Sequence, residues 1–419
     1  MRGFWAAWGG WALDGMDSFI YALVLVPALR ELLPRSGIAA NTQNLGFYGG
    51  LLFALFLVGW GLALLWGPLA DTFGRVRTLM ITILCYSIFT FLGAFATSVW
   101  WLAAFRLLSG IGIGGEWAMG GTFVAEEWPE ERRAQGAGYM HTGYYFGVFL
   151  AAILNSTVGA RYGWRAMFAM GGTPALLVMF IRGGVREPKR WERAVGRLGQ
   201  RSLGSTMGRS LKELFSPAYR RRTVLNSTYL LIAIAGLWAG SVYVPASVTQ
   251  LATTAGFTEA ASARLASYGT MLLSAGTILG CLILPALADR WGRRTTLAVY
   301  FALMFFSIAI GFGYTFYLGK TALPWFMVCL FFLGLGGANF AMFTLWLPEQ
   351  YPTECRASAF AFTTSIGRFI GAGITFLVGA GVSHFGTIGI PVAFTSVAFL
   401  IGLALIPLGE ETRGQPLPA

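Results

Sequence analysis

The sequence predicts an all-α integral membrane protein with twelve transmembrane helices in two pseudo-symmetric six-helix bundles. Of its 419 residues, 56% are hydrophobic and 11% are charged, whereas about a quarter of the residues in soluble domains are charged. Twelve apolar segments are long enough to cross a bilayer core about 30 Å thick. The stretch GPLADTFGRVR, residues 67–77, returns as PALADRWGRRT, residues 285–295, which indicates an internal duplication.

The twelve predicted spans leave little of the chain outside the membrane. Only helices and closed barrels satisfy every backbone group in lipid, and segments this long lack the alternation of barrel strands. All spans are therefore predicted to be helical. They are residues 5–27, 45–70, 78–96, 99–123, 136–159, 164–184, 223–247, 266–288, 295–315, 322–347, 357–383 and 388–408.

A second repeat supports the duplication. Glu126 and Arg133 recur in the same order and spacing as Glu349 and Arg356. Between the two copies, residues 182–222 are polar, basic and rich in Gly and Ser. We therefore predict an N-terminal bundle (residues 1–184), a cytoplasmic linker loop (185–222) and a C-terminal bundle (223–419).

The formal net charge of +12 is explained by membrane orientation. With a cytoplasmic N-terminus, most Lys and Arg residues fall in cytoplasmic loops, as the positive-inside rule requires. The sequence thus predicts a multi-pass protein of the cell (inner or plasma) membrane with both termini in the cytoplasm. Basic residues near the linker suit a lipid bilayer with anionic headgroups, and no nucleic acid partner is expected.

The residue patterns of enzymes and metal sites are missing from the sequence. The four cysteines have no metal-like spacing, and no nucleophile with a base or phosphate-binding Gly-Lys loop appears. We expect neither an enzyme nor an ATP-driven pump, and no cofactor. Energy must then come from an ion gradient, with protons as the expected coupling ion.

Several ionisable side chains fall inside the predicted spans. A charge at the centre of a bilayer costs about 2.5 to 3.5 kcal/mol even on a mild scale, so each one calls for a reason. Two of these residues are arginines and three are carboxylic acids. At least one acid is therefore without a basic partner and free to be protonated. The residues are Asp14, Asp17, Arg106, Glu116, His141 and Arg368.

Asp14 and Asp17 are three residues apart and share one face of their helix. By helical rise, Asp17 and Arg106 lie at similar depths, and Asp14 is closer in depth to Glu116. One hypothesis is that Asp17 carries the coupled proton, so that it releases Arg106 when protonated and pairs with it again when ionised. The other hypothesis is that Asp17 and Arg106 form a permanent ion pair. Glu116 is either a second protonation site near Asp14 or a packing acid.

Arg368 lies near the middle of its span, where transporter sites occur, and can hold a carboxylate with two hydrogen bonds. We predict that it anchors a substrate anion; the alternative is a structural partner. Asn339, at a similar depth, contacts substrate or another helix. His141 is an interfacial residue, a proton relay or a substrate contact. Aromatic candidates for the cavity wall are Trp117, Tyr144, Tyr145, Trp238, Tyr243 and Trp346.

These motifs resemble those of a major facilitator superfamily transporter along essentially the whole chain. GPLADTFGRVR is similar to the loop signature G-x-x-x-D-R/K-x-G-R-R/K-R/K, from which Thr72 and Val76 depart, and Pro285 replaces the first glycine of the second copy. RLLSGIGIGGE, residues 106–116, is similar to the helix 4 motif. LDGMDSFIYAL, GIGGEW and EETRGQPLP most resemble bacterial metabolite:proton symporters of the sialate, monocarboxylate and aromatic-acid branches.

The resemblance implies roles for two groups of residues. Asp17 and Arg106 match the proton-coupling pair of related symporters. The signature loops and their neighbours match charge networks that hold the outward-facing state, although their arginines also fit simple orientation by positive charge. The implied gating residues are Asp71, Arg75, Arg77, Glu127, Arg133, Asp289, Arg293, Glu349 and Arg356.

The sequence as a whole predicts proton-coupled symport of a small organic anion, a monocarboxylate or an aromatic carboxylate, by alternating access. Two alternatives remain open. One is a sugar or polyol facilitator or proton symporter, and the other is a membrane sensor that binds a ligand without transport. We expect the protein to be a monomer.

Overall fold

The structure is a computed structural model that describes residues 2–184, 186–189, 191–193, 203–241 and 243–418. Within these ranges the chain is helical and forms no strand. Eight helical stretches there are long and apolar enough to cross a membrane. They include residues 3–35, 264–291 and 356–382.

The first half of the described chain, residues 2–184, forms eight α-helices. A short 3₁₀ turn at Ala63–Leu65 joins the second of them to the third. The helices are α1 (Arg2–Arg35), α2 (Thr42–Leu62), α3 (Trp66–Phe73), α4 (Arg75–Gly93), α5 (Val99–Glu127), α6 (Arg133–Leu154), α7 (Ala160–Met170) and α8 (Ala175–Gly184).

The second half, residues 203–418, repeats much of this order. Its helices are α9 (Leu203–Leu214), α10 (Arg220–Ser241), α11 (Val244–Thr254), α12 (Glu259–Trp291), α13 (Arg293–Gly313), α14 (Ala322–Gly337), α15 (Asn339–Trp346), α16 (Arg356–Phe385), α17 (Gly389–Phe394) and α18 (Val397–Leu405). Each of the twelve predicted spans coincides with one of these helices or with a consecutive pair.

Five predicted spans are divided into two helices, namely those at residues 45–70, 164–184, 223–247, 322–347 and 388–408. The sixth span breaks between α7 and α8 at the sequence Gly-Gly-Thr-Pro, residues 171–174. Proline lacks the N–H that would continue the helix, and glycine lowers helix propensity. The tenth span breaks between α14 and α15, directly after the glycine pair at residues 336–337. Small and imino residues therefore account for breaks that hydropathy alone does not reveal.

The predicted linker loop is partly helical, which corrects the expectation of a loop throughout. Helix α9 lies inside it, and the Leu214 side chain at its end is fully buried. Thr223 on α10 donates a hydrogen bond to the Leu214 carbonyl at 2.8 Å, and α9 packs on α3 and α16, one helix from each half. Residues 185, 190 and 194–202 lie outside the described residues, so the bundle boundaries stay predictions.

The two halves pack against each other along two seams. Helix α6 packs on α12, and α16 packs on α2 and α3. Close approach in the first seam depends on Gly138, because a Cβ there would lie 2.5 Å from the carbonyl oxygen of Cys281. Within the first half, α1 packs on both α5 and α6. The acidic face of α1 is therefore turned toward the interior of the bundle.

Candidate functional site

A cavity of about 280 Å³ lies between the two halves, inside the helix bundle. This figure counts all the space between the lining side chains, including any that is open to solvent. Its walls come from α1, α2, α5, α6, α15 and α16. The lining residues are Trp11, Trp60, Trp117, His141, Tyr144, Tyr145, Phe340 and Arg368.

Arg368 supplies the positive charge of this cavity. Its side chain is only 2% exposed, and its guanidinium carbon lies 4.1 Å from the centre of the Trp60 ring and 5.4 Å from Trp117. Among the described residues, it makes no ion pair within 4 Å, and its Nε has no hydrogen-bond partner. A buried cation without a carboxylate beside it is costly, and a bound anion would offset that cost.

Aromatic rings form the remaining walls of the cavity. Trp11 and Trp117 stack with centroids 5.8 Å apart and planes 19° apart. Trp117 also contacts Phe340 at 5.6 Å and donates a 2.9 Å hydrogen bond from Nε1 to the Thr344 hydroxyl. Because Thr344 belongs to the second half, this bond joins the two halves beside the cavity. Flat walls of this kind fit a planar apolar ligand.

Asp14 and Glu116 form a buried acidic pair next to the cavity. A Cβ on Gly10 would lie 1.8 Å from Glu116 Oε1, so the Glu116 carboxylate rests directly on the backbone of α1. Asp14 is four residues after Gly10, and helical side chains lean toward the N-terminus, which places its carboxylate over the same turn. Asp14 accepts a 3.4 Å hydrogen bond from Ser18 and lies within electrostatic range of Arg368.

Asp17 and Arg106 are close but do not form a direct ion pair. Both are buried and within electrostatic range of each other, yet no Asp17 oxygen lies within 4 Å of an Arg106 nitrogen. The Arg106 guanidinium lies between the rings of Tyr21 and Phe56, 4.1 Å from each centroid. In the state described, Asp17 and Arg106 are therefore neighbours without a direct ion pair.

The other predicted contact residues differ in their positions. His141 is 3% exposed and lines the cavity together with Tyr144 and Tyr145, so it lies in the interior rather than at the interface. Asn339 is buried beside Phe340 but is not a lining residue; its amide nitrogen donates to the Gly336 carbonyl at 2.9 Å. Tyr243 and Trp346 do not line the cavity, and Trp346 Nε1 instead donates to the Glu410 carbonyl at 2.9 Å. The side chain of Trp238 lies outside the described residues.

Three lining residues escaped the sequence analysis. Trp11 precedes Asp14 by three residues and thus shares its helix face, a signal that could have identified it. Trp60 and Phe340 carry no comparable signal, because the apolar residues of α2 and α15 are not concentrated on one side of the helix.

A second group of charged side chains lies at the face that carries the two signature loops, called here the loop face. In the first loop, Arg75 is 3.0 Å from Asp71 and 3.3 Å from Glu126. In the second, Arg293 is 3.5 Å from Asp289 and 2.8 Å from Glu349. The repeated sequences therefore build the same ion-pair arrangement twice.

Each of the two glutamates also binds an arginine from the opposite half. Arg356 Nη1 lies 3.0 Å from Glu126, and Arg133 Nη1 lies 3.0 Å from Glu349. Asp71 adds a further link, since it accepts hydrogen bonds from the backbone and hydroxyl of Ser358 on α16. We call this set of contacts the crossed latch; it holds the two halves together at the loop face.

Not every predicted gating residue belongs to the crossed latch. Glu127 is exposed, and its carboxylate accepts from the backbone N–H of Lys189 at 3.3 Å. Its neighbour Glu126 is the residue that faces inward. The Arg77 side chain is exposed and outside these ion pairs, and Asp289 is 52% exposed.

Two further glutamates cap the helices that follow the signature loops. Glu187 accepts from the backbone N–H groups of Val76 and Arg77 at 3.1 and 3.2 Å, at the start of α4. Glu411 accepts from the backbone of Arg293 at 2.9 Å, at the start of α13. Negative charge is favourable at a helix N-terminus. Burial raises the pKa of Glu187, and the backbone N–H groups oppose that rise.

Comparison with known proteins identifies the same architecture. The family model described as "Major Facilitator Superfamily" matches residues 7–376. The "Probable 4-methylmuconolactone transporter" of Cupriavidus pinatubonensis is 30% identical, over 98% of this chain and 90% of that protein. The niacin transporter of Acinetobacter baylyi is 25% identical, over 99% and 94%.

Among solved structures, the proton:xylose symporter XylE bound to 6-bromo-6-deoxy-D-glucose superposes with a TM-score of 0.77. It is 19% identical, and the match covers 99% of this chain and 97% of that one. At this identity the likeness concerns the fold alone. It confirms the predicted all-helical fold of two six-helix bundles.

Proposed function

Because the chain belongs to the Major Facilitator Superfamily, we propose that it is a proton-coupled symporter of a small organic anion. Members of this family are transporters and not enzymes, and they need no cofactor. An aromatic carboxylate is the first candidate within that class. The observation that carries the proposal is Arg368, a buried guanidinium without an ion-pair partner within 4 Å among the described residues, in a cavity walled by aromatic rings. Relatives named for methylmuconolactone and niacin support a small planar substrate.

In this proposal the substrate carboxylate binds Arg368 through parallel hydrogen bonds. Its ring then lies against the indoles of Trp11 and Trp117. The Trp60 ring holds the guanidinium plane in place from the other side, so the cation is oriented before the anion arrives. Preorganisation of this kind lowers the cost of binding.

Transport is coupled to protons because Asp14 and the substrate compete for the same cation, Arg368. An ionised Asp14 attracts Arg368, whereas a protonated Asp14 leaves Arg368 to the substrate. Glu116 lies against the same turn of α1 as Asp14 and adds a second carboxyl group there. Asp17 and Arg106 would act in the same way. Asp17 separates from Arg106 when it is protonated and pairs with it again when it is ionised. The separated arrangement of this pair fits a protonated Asp17, which couples anion entry to proton entry.

Alternating access follows from the crossed latch. We propose that residues 1–184 and 223–419 rock about the cavity, and that the latch closes the cytoplasmic side in the state described. The protein would lie in the cell membrane with both termini in the cytoplasm and act as a monomer. The sugar alternative has less support, since no amide or carboxylate is found among the described residues that line the cavity.

Binding of benzoate to the purified protein tests the anchor. Calorimetry should detect binding to the wild type, and Arg368→Lys should weaken it about tenfold or more, because an ammonium cannot make the planar bidentate contact. Arg132→Lys, an exposed arginine on the loop face, is the matched control and should bind as the wild type does. If Arg368→Lys bound benzoate with unchanged affinity, Arg368 could not be the anchor.

Proteoliposomes test the coupling. With an acidic exterior, the wild type should accumulate labelled 4-hydroxybenzoate above the passive level of protein-free liposomes. Asp17→Asn should lose accumulation but keep exchange of internal for external substrate, because exchange needs no net proton movement. Glu131→Gln, an exposed acid, should accumulate normally. Full accumulation by Asp17→Asn would remove Asp17 from the coupling mechanism.

A further inference from the structure

Two polar atoms in the wall of the cavity, on His141 and Trp11, are not used by the carboxylate anchor. His141 Nδ1 and Trp11 Nε1 are both buried and have no hydrogen-bond partner among the described residues. Both side chains line the cavity, and their ring centroids are 5.7 Å apart. Leaving buried polar groups unpaired costs stability. Two such atoms side by side in one wall therefore indicate a place where a ligand supplies the missing bonds.

The surroundings of His141 narrow its role. Trp117 lies 6.0 Å from its ring, Tyr145 lies 6.3 Å away, and Phe340 stacks parallel to it at 6.4 Å with planes 4° apart. Among the described residues, no acidic side chain forms an ion pair with His141. A neutral imidazole in this position offers one donor and one acceptor. The indole of Trp11 adds a second donor.

Arg368 and His141 both lie close to Trp117 in the wall of the cavity. The Arg368 guanidinium carbon is 5.4 Å from the Trp117 ring, and the His141 ring is 6.0 Å from it. A ligand whose carboxylate is held by Arg368 and whose ring covers the Trp117 indole therefore extends toward His141. An unsubstituted ring would leave His141 and Trp11 unpaired, whereas a ring with a hydroxyl or a ring nitrogen would satisfy one or both.

We propose that His141 and Trp11 form a second polar subsite, which recognises a ring hydroxyl or ring nitrogen of an aromatic carboxylate anchored by Arg368. The inference deepens the proposed function and rests on it. It makes His141 a specificity-determining residue that separates hydroxylated and heterocyclic acids from plain benzoate. A site built to hydrogen-bond a substrate group rejects analogues that lack it more strongly than an apolar pocket rejects a size change.

Calorimetry on the full-length purified protein tests this subsite with four ligands: benzoate, 3-hydroxybenzoate, 4-hydroxybenzoate and nicotinate. At least one of the three polar-ring acids should bind the wild type about fivefold or more tightly than benzoate. In His141→Phe, which keeps a flat ring, that ratio should fall to about one while the benzoate Kd changes less than about twofold. His141→Gln keeps a donor and an acceptor and should retain part of the preference.

The control is His384→Phe, the same change at the other histidine of the chain, which is exposed and outside the cavity. It should leave all four affinities unchanged. A preference that persists in both His141 variants, or an equal loss of all ligands in both, would overturn the subsite. Benzoate binding without any preference in the wild type would overturn the subsite alone. Failure of the wild type to bind all four acids would overturn both the subsite and the aromatic-carboxylate function.

Discussion

Arg356 on α16 and Glu126 on α5 form a fully buried ion pair between the two halves of the molecule, with Nη1 and Oε1 3.0 Å apart. The repeat produces its counterpart between Arg133 and Glu349, also at 3.0 Å. Each glutamate therefore neutralises one arginine of its own half and one of the other. Removing one glutamate leaves two buried arginines without that partner, and breaking a buried ion pair costs about 3 to 5 kcal/mol.

Glu126→Gln should open the loop face. Cys355 is 3% exposed beside Arg356, and burial raises the pKa of its thiol, so it should react slowly with maleimide while the latch is closed. We expect labelling of Cys355 to accelerate about tenfold or more in Glu126→Gln, measured with Cys85, Cys281 and Cys329 replaced by Ala. Glu131→Gln should label at the wild-type rate. Equal rates in the two variants would show that the latch does not hold this face closed.

Gly10→Ala should displace Glu116. The new Cβ would lie 1.8 Å from Glu116 Oε1, whereas a Cβ on Gly9 would meet nothing closer than 3.7 Å. If Asp14 and Glu116 act together in coupling, Gly10→Ala should lower proton-driven uptake about tenfold or more, and Gly9→Ala should transport nearly as the wild type does. Uptake in proteoliposomes under an inward proton gradient measures both. Equal activity of the two variants would exclude a role for the Glu116 position in transport.

Arg106→Lys should impair transport more than binding. The planar guanidinium lies against Tyr21 and Phe56, and each cation–π contact is worth about 0.5 to 2 kcal/mol. An ammonium loses the stacking that holds the cation near Asp17. We expect initial uptake to fall about tenfold, with benzoate affinity in detergent unchanged within about twofold, because Arg106 does not line the cavity. Arg132→Lys should leave both unchanged, and normal uptake by Arg106→Lys would contradict the proton-exchange role.

Hydropathy and the repeat were enough to predict the fold. A bilayer of fixed thickness requires long apolar helices, so span positions can be read from composition. The position of Asp14 near Glu116 could also be predicted, since the depth of each residue in its span follows from the helical rise. The pairing of Arg133 with Glu349 and of Arg356 with Glu126 follows the register of the second repeat, although the sequence did not indicate that the pairs cross between halves.

The facing of apolar helices could not be predicted. Trp60 lies on α2, which has no polar side to show its orientation, so its contact with Arg368 emerged only from packing. Glu126 and Glu127 are 100° apart on α5, and helix rotation alone decides which of them is buried. The stacking of Arg106 between Tyr21 and Phe56 depends on the state of the transporter, which a sequence does not specify.

Gly74→Ala should destabilise the whole protein through the cap of α4. Gly74 has φ 113°, which side-chain-bearing residues rarely adopt, and its Cβ would lie 2.3 Å from Glu187 Oε1. Strain of this kind costs about 1 to 3 kcal/mol, so the melting temperature in detergent should fall by a few degrees.

Gly50→Ala is the matched control, because Gly50 lies in α2 with nothing within 4 Å of the new Cβ. Its melting temperature should be unchanged or slightly higher, since alanine favours the helix. Gly292→Ala, at φ 86° and 2.5 Å from Glu411 Oε2, should repeat the loss in the second half. Melting temperatures that match Gly50→Ala in both loop variants would show that the two glutamate caps contribute little to stability.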